Sequence, residues 1–253
     1  MIGIGSTLEA VTAELAASGA QAVVLFGSFA RGQASAHSDI DLLALGSGEK
    51  RYEWRDGRLV DVAWVPVEAA RQQFTDPGAV GAAIRGWREA QIQYDPAGIA
   101  GDLQRDAIAW TWDRLGPHAA DAWVAREIAG LAEEVFKLMA ALEQRRALTA
   151  AVQRNVLVLH LAGIVAVHHR LLYGSENRLW DMVADEMGEP YAQVQARAMG
   201  LSGEPFEDTC HAALRLYALV AQQTQHILDR QQRLIVAHAC ARAGYVLEAS
   251  DKT

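Results

Sequence analysis

The stretch VVLFGSFARGQASAHSDIDLLAL, residues Val23 to Leu45, decides how the first part of the chain folds. It opens and closes as buried strand. Between the two strands stand Gly27-Ser28, then Ala30-Arg31-Gly32, then Ser38-Asp39-Ile40-Asp41. Gly27 lets the backbone come close to a ligand, and Ser28 offers a hydroxyl and an amide where a helix should begin, a place that favours phosphate. Arg31 adds a fixed positive charge and Gly32 ends the turn. Asp39 and Asp41 are two residues apart on a strand, so their side chains leave the same face. Two carboxylates that close repel each other in a partly buried site. A divalent cation relieves this, and Mg²⁺ takes carboxylate oxygens together with substrate phosphates. A phosphate grip followed by paired carboxylates is what metal-assisted phosphoryl chemistry needs.

Working outward, Ser6 and Glu9 have capping-box spacing, so a helix is expected from about Thr7 to Ser18, ending at Gly19. Ala22–Phe26 and Asp39–Leu45 read as strands. KRYEWRDGRLVDVAWV, from Lys50, reads as a hairpin turning at Asp56-Gly57, a type I′ signal. A helix over Val67–Phe74, a further small helix and a last strand near Ala90–Tyr94 follow. Beyond Pro96 strand signals stop. Val124, Ile128, Leu131, Val135, Leu138 and Leu142 keep helical spacing, as do Phe206, Cys210, Leu214, Tyr217, Val220 and Ile227. The expected fold class is α+β: a mixed sheet flanked by helices over residues 1–97, then an all-α bundle over residues 98–253.

At 253 residues the chain suits two modest domains, and 51% apolar with 21% charged residues is ordinary for a globular protein. A net charge of −8 argues against a nucleic-acid coat and suits a cationic small partner. Cys210 and Cys240 read as buried free thiols. No signal peptide is visible after Met1, and the apolar run between Arg154 and Arg170, holding His160, His168 and His169, reads as a buried helix too short to span a bilayer. The expected location is the cytoplasm, without membrane attachment, as a monomer or homodimer.

The pattern GSFARG…SDIDLL resembles the signature of the nucleotidyltransferase superfamily related to DNA polymerase β. Gly27, Ser28, Ala30, Arg31, Gly32, Ser38, Asp39 and Asp41 all fall on it, and the resemblance covers residues ~20–97. It implies a third carboxylate on a neighbouring strand, and Asp61 in RLVDVAWV occupies that place. The activity implied is transfer of a nucleoside monophosphate from ATP or another NTP. Gly27, Ser28 and Arg31 would hold phosphates. Asp39 and Asp41 would hold Mg²⁺, two ions in this family, and Asp61 would serve as a third metal ligand or as general base.

A helical second half after such a domain resembles the antibiotic adenylyltransferases, those modifying aminoglycosides above all, in which the small acceptor lies between the domains. RNVLVLHLAG and SENRLWDMVADEM resemble helical segments that lend basic residues to the ATP phosphates, which singles out Arg154 and Arg178. Asp113 or Glu127 could bind an acceptor amine, while Trp110, Trp112 and Trp123, like Trp54 and Trp64, are expected in packing. His160 is expected in packing too. Arg154-Asn155 with His160 also resembles the Arg-Asn…His motif of HEPN ribonucleases. That keeps a second expectation open, a nucleotidyltransferase/HEPN toxin–antitoxin module with a ribonuclease or regulatory binding role.

Overall fold

The computed structural model describes residues 4–248. The chain divides into two compact units between Arg114 and Leu115. In the first, the order is α1 (Ile4–Ala17), β1 (Ala22–Leu25), α2 (Gly27–Ala30), β2 (Ile40–Leu45), β3 (Arg51–Arg55), β4 (Arg58–Val65), α3 (Val67–Gln72), α4 (Val80–Glu89), β5 (Gln91–Tyr94) and α5 (Ile99–Ile108). The five strands form one sheet in the order β3-β4-β2-β1-β5. Only β2 and β4 run parallel; β1–β2, β1–β5 and β3–β4 are antiparallel, so the sheet is mixed as its sequence implies.

Period-two burial sorts the sheet into two faces. Val23, Leu25, Ile40, Leu42, Ala44, Val60 and Val62 bury themselves against Val11 and Leu15 of α1. Each Val, Leu or Ile among them contributes about 1.5–3 kcal/mol on leaving water, which is what fixes the strand register here. The alternate positions, Asp41 and Asp61 among them, point to the opposite face. At the hairpin, Asp56 and Gly57 both take positive φ, 51° and 81°, as a type I′ turn requires. Ser6 lies inside α1, which includes Ile4, so the helix extends back past the expected capping position, and Ile4 packs on the core. A capping box does occur elsewhere, between Asp229 and Gln232. α5 lies beyond residue 97 yet packs on α4 and β1, which is why the first unit extends to Arg114.

Among the described residues the second unit is all helical: α6 (Ala119–Gly130), α7 (Ala132–Glu143), α8 (Ala147–His168), α9 (Glu176–Met187), α10 (Glu189–Ala198), α11 (Phe206–Thr224) and α12 (Arg230–Arg242). The run from Val124 to Leu142 is split between α6 and α7, breaking after Gly130. α8 has 22 residues and is long and apolar enough to cross a membrane, which corrects the reading that it is too short. It packs against α6, α7, α9, α10 and α11 and buries Leu157, Leu161, Ile164 and Val165, the behaviour of a central bundle helix. The Tyr217 hydroxyl donates to the Ile128 carbonyl at 3.0 Å, and Cys210 and Cys240 are free, buried thiols.

At the end of α8, burial pushes the His168 imidazole down to about 4, helped by the neighbouring charges of His169, His226 and Arg170. Its Nδ1 is buried without a partner. The folded pKa lies below that of the unfolded chain, so between pH ~6.5 and ~4 the unfolded chain takes up the proton first and stability falls as pH falls. Discounted for solvent screening, about 1–2 kcal/mol should be lost on going from pH 7 to pH 4. Melting curves of wild type and His168→Phe across that range check this: the variant should lose less on acidification, and parallel losses would count against it.

Candidate active site

The turn from β1 into β2 is built around one close approach. Gly27 takes φ of 70°, and a Cβ added there would stand 1.9 Å from Asp41 Oδ2. The Phe26 amide donates to the Asp41 carbonyl at 2.9 Å, extending the β1–β2 ladder to the residue just before Gly27. The Asp41 carboxylate therefore lies against the Gly27 backbone, where no side chain can stand. α2 is a single turn and contributes little macrodipole; what it offers a phosphate is its amides and the Ser28 hydroxyl. Arg31 ends it, with its guanidinium 4.0 Å from Glu89 and donating to Gln33 at 3.2 Å. The loop back to β2 is held by Ser35–Ser38 contacts and by Arg58, whose Nη1 donates to the carbonyls of Ser35 and Ser38, each at 3.2 Å.

Because β2 and β4 are parallel and in register, Asp41 stands directly beside Asp61. Asp39 precedes the first residue of β2 and is half-buried. Burial pushes the Asp41 carboxyl up to about 6; the charges of Asp39 and Asp61 push the same way, and Arg31 and Lys50 oppose them. Lys50 was not expected from the sequence. Its Nζ lies 3.3 Å from Asp61 Oδ2. Hydrogen bonds to Tyr52 and then Asp61 hold its ammonium above the ordinary lysine range. The other Asp61 oxygen, Oδ1, is buried without a hydrogen-bond partner.

This donor set suits a divalent cation that shares its coordination with phosphate. The Asp41 carboxyl is raised by burial and by the neighbouring charges of Asp39 and Asp61, and Asp61 carries an unsatisfied buried oxygen. Among the described residues no three His, Cys, Asp or Glu side chains gather into a ready metal cage. Mg²⁺ does not need one, since it binds through one or two carboxylates plus substrate phosphates and water.

The structure thus brings Gly27, Ser28, Arg31, Asp39, Asp41 and Asp61 to one end of one sheet. Arg154 and Arg178 lie on α8 and α9 of the second unit. Arg154 donates to Thr209 Oγ1 at 2.7 Å and to Asn155, and its guanidinium lies 5.5 Å from the Phe206 ring centre. His160 is exposed, not packed, because it falls on the outward stripe of α8. Trp54 is likewise 73% exposed rather than packed, whereas Trp64 packs on the core and Trp110 is buried, donating to the Phe74 carbonyl at 2.9 Å. Glu127 pairs with Arg126 at 2.9 Å.

Gly27→Ala is expected to destabilise the protein by roughly 2 kcal/mol or more, since it combines a left-handed backbone with a clash against Asp41. Urea unfolding checks this, with Gly57→Ala as a control that has positive φ but open space around it. Equal losses in the two variants would remove the Asp41 contact from the explanation.

Residues 9–77 match the family model of the nucleotidyltransferase domain, a span that runs from α1 past α3 and holds Gly27, Ser28, Arg31, Asp39, Asp41 and Asp61. The fold is similar to that of a nucleotidyltransferase-like protein from Exiguobacterium sibiricum, at 14% sequence identity and a TM-score of 0.50, over 95% of this chain and 78% of that one. No curated protein matches the sequence.

Proposed function

We propose that the protein is a Mg²⁺-dependent nucleotidyltransferase that moves a nucleoside monophosphate, AMP from ATP as the first choice, onto a hydroxyl of a small cationic acceptor. The observation that carries this reading is the row formed across the sheet by the Gly27 backbone, Asp41 and Asp61, within a segment that matches the nucleotidyltransferase domain. An aminoglycoside-type antibiotic is the proposed acceptor class. It draws support from the −8 net charge and from the resemblance of the helical half to the antibiotic adenylyltransferases.

The residues divide the work by position. The Gly27-Ser28 turn and Arg31 bind the phosphates that leave as pyrophosphate. Asp39 and Asp41 hold Mg²⁺, with Asp61 beside them. Bound there, Mg²⁺ would supply positive charge against the negative charge developing on the phosphoryl oxygens. Asp61 accepts the proton of the acceptor hydroxyl as its oxygen bonds to the α-phosphorus and the bond to pyrophosphate breaks.

A pyrophosphate-release assay with each NTP over a panel of hydroxyl acceptors tests this. Release that requires both Mg²⁺ and one acceptor class is the expected result. RNA cleavage without pyrophosphate release would overturn it.

A further inference from the structure

Lys50, Tyr52 and Trp54 alternate along the chain into β3, so they share the sheet face that carries Asp61 and Asp41. β3 is an edge strand. Its other face is ordinary for an edge: Arg51, Glu53 and Arg55 form ion pairs with one another and with Glu14 of α1. On the carboxylate face the same strand exposes two large aromatic rings, Tyr52 at 62% and Trp54 at 73%, with Leu59 opposite Trp54. Register puts Tyr52 directly opposite Asp61, which is directly beside Asp41. Strands about 4.8 Å apart then give a continuous row of roughly 10 Å from Asp41 to Tyr52.

One ammonium already sits in this row. Lys50 Nζ lies 4.8 Å from the centre of the Tyr52 ring and 3.3 Å from Asp61 Oδ2. A ring face and a carboxylate around one cation are the parts of an amine-binding subsite. The lysine that fills it does so from a half-exposed, flexible stem. Asp61 Oδ1 is buried, so Oδ2, the oxygen Lys50 holds, is the one a substrate can reach.

We infer that Tyr52, Trp54, Leu59 and Asp61 form the acceptor subsite, and that its ligand is a ring compound bearing an ammonium next to a hydroxyl. This rests on the transfer reading above and gives the acceptor a place within it. The ligand ammonium replaces that of Lys50 between the Tyr52 ring and Asp61 Oδ2. The apolar face of its ring lies on Trp54 and Leu59, and the neighbouring hydroxyl comes to the Asp61 carboxylate. Lys50 keeps the subsite charge-balanced until the ligand arrives.

Methyl glucosaminide and methyl glucoside differ by a single ammonium, which lies next to a hydroxyl, and make a matched pair of probes. Titrated into the full chain and followed at the Trp54 indole N–H by NMR, with the ring protons of each glycoside followed in the variants, the glucosaminide should bind at least 10-fold tighter than the glucoside. Trp54→Ala and Tyr52→Ala should each weaken the glucosaminide 10-fold or more with little change in melting temperature. Lys50→Ala should tighten it several-fold by removing the competing ammonium. Equal binding of the two glycosides, binding untouched by Trp54→Ala, or weaker binding in Lys50→Ala would each overturn the subsite. Mg·ATP titrated into the wild type separates the two readings. Amine binding as expected without nucleotide binding would sink the transfer reading and leave the amine subsite standing.

Discussion

Asparagine at Asp41 is expected to reduce nucleotidyl transfer by roughly 10³-fold or more, because a carboxylate that holds the cation against the phosphates supplies several kcal/mol of charge stabilisation. The same change should make the nucleotide-free protein more stable at pH 7. Burial, with the charges of Asp39 and Asp61, pushes the Asp41 carboxyl up to about 6, against an ordinary value of 3.8. The folded chain therefore binds this proton more tightly than the unfolded one. Its contribution is most favourable below pH ~3.8 and is lost as pH rises through ~6. At pH 7 the full unfavourable term is present, about 1–2 kcal/mol once solvent screening is allowed for, and asparagine abolishes it. Urea unfolding at pH 7 and pH 3.5 should show a gain in the first condition that disappears in the second. A gain of equal size at both, or turnover unchanged from wild type, would separate Asp41 from the cation.

The same carboxylate shows how far the sequence can be read. Paired aspartates two residues apart, after a glycine turn between two apolar runs, determine strand, turn and shared face from local rules alone, and β1, α2 and β2 follow them closely. Asp56-Gly57 announces its turn just as locally. What the sequence hides is what depends on lateral register. Nothing in KRYEWR says that Tyr52 will stand opposite Asp61, since that follows from β3–β4 pairing counted back from the turn and from β4 lying parallel to β2. The Lys50–Asp61 contact is hidden for the same reason, although the alternation of Lys50 with Tyr52 and Trp54 is legible in the sequence. From the sequence, Trp54 reads as a packing residue rather than a stacking platform. Here β3 is the sheet's edge and Trp54 faces outward. His160 failed in the same way: α8 is apolar almost throughout, so hydrophobicity alone could not tell its buried stripe from its exposed one.

Asp61→Asn should reduce transfer by about 10²-fold or more while Mg·ATP still binds with near-normal affinity. The argument starts from the two oxygens of this carboxylate, which the structure treats differently. Oδ1 is buried without a partner, and Oδ2 is held by Lys50 at 3.3 Å. A general base needs an oxygen that exchanges partners, and an oxygen held by a flexible, half-exposed lysine is such a group. The β4 backbone fixes Asp61 beside Asp41, so under the proposed function a hydroxyl brought to Oδ2 would stand near the phosphorus that a cation on Asp41 would address. Asparagine keeps the shape and removes the proton acceptor, so the chemical step should fail while nucleotide binding survives. Calorimetry with Mg·ATP beside pyrophosphate release decides between the roles: loss of nucleotide binding together with activity would make Asp61 a metal ligand. Transfer that persists in Asp61→Asn but vanishes in Glu127→Gln would assign the base to the helical unit.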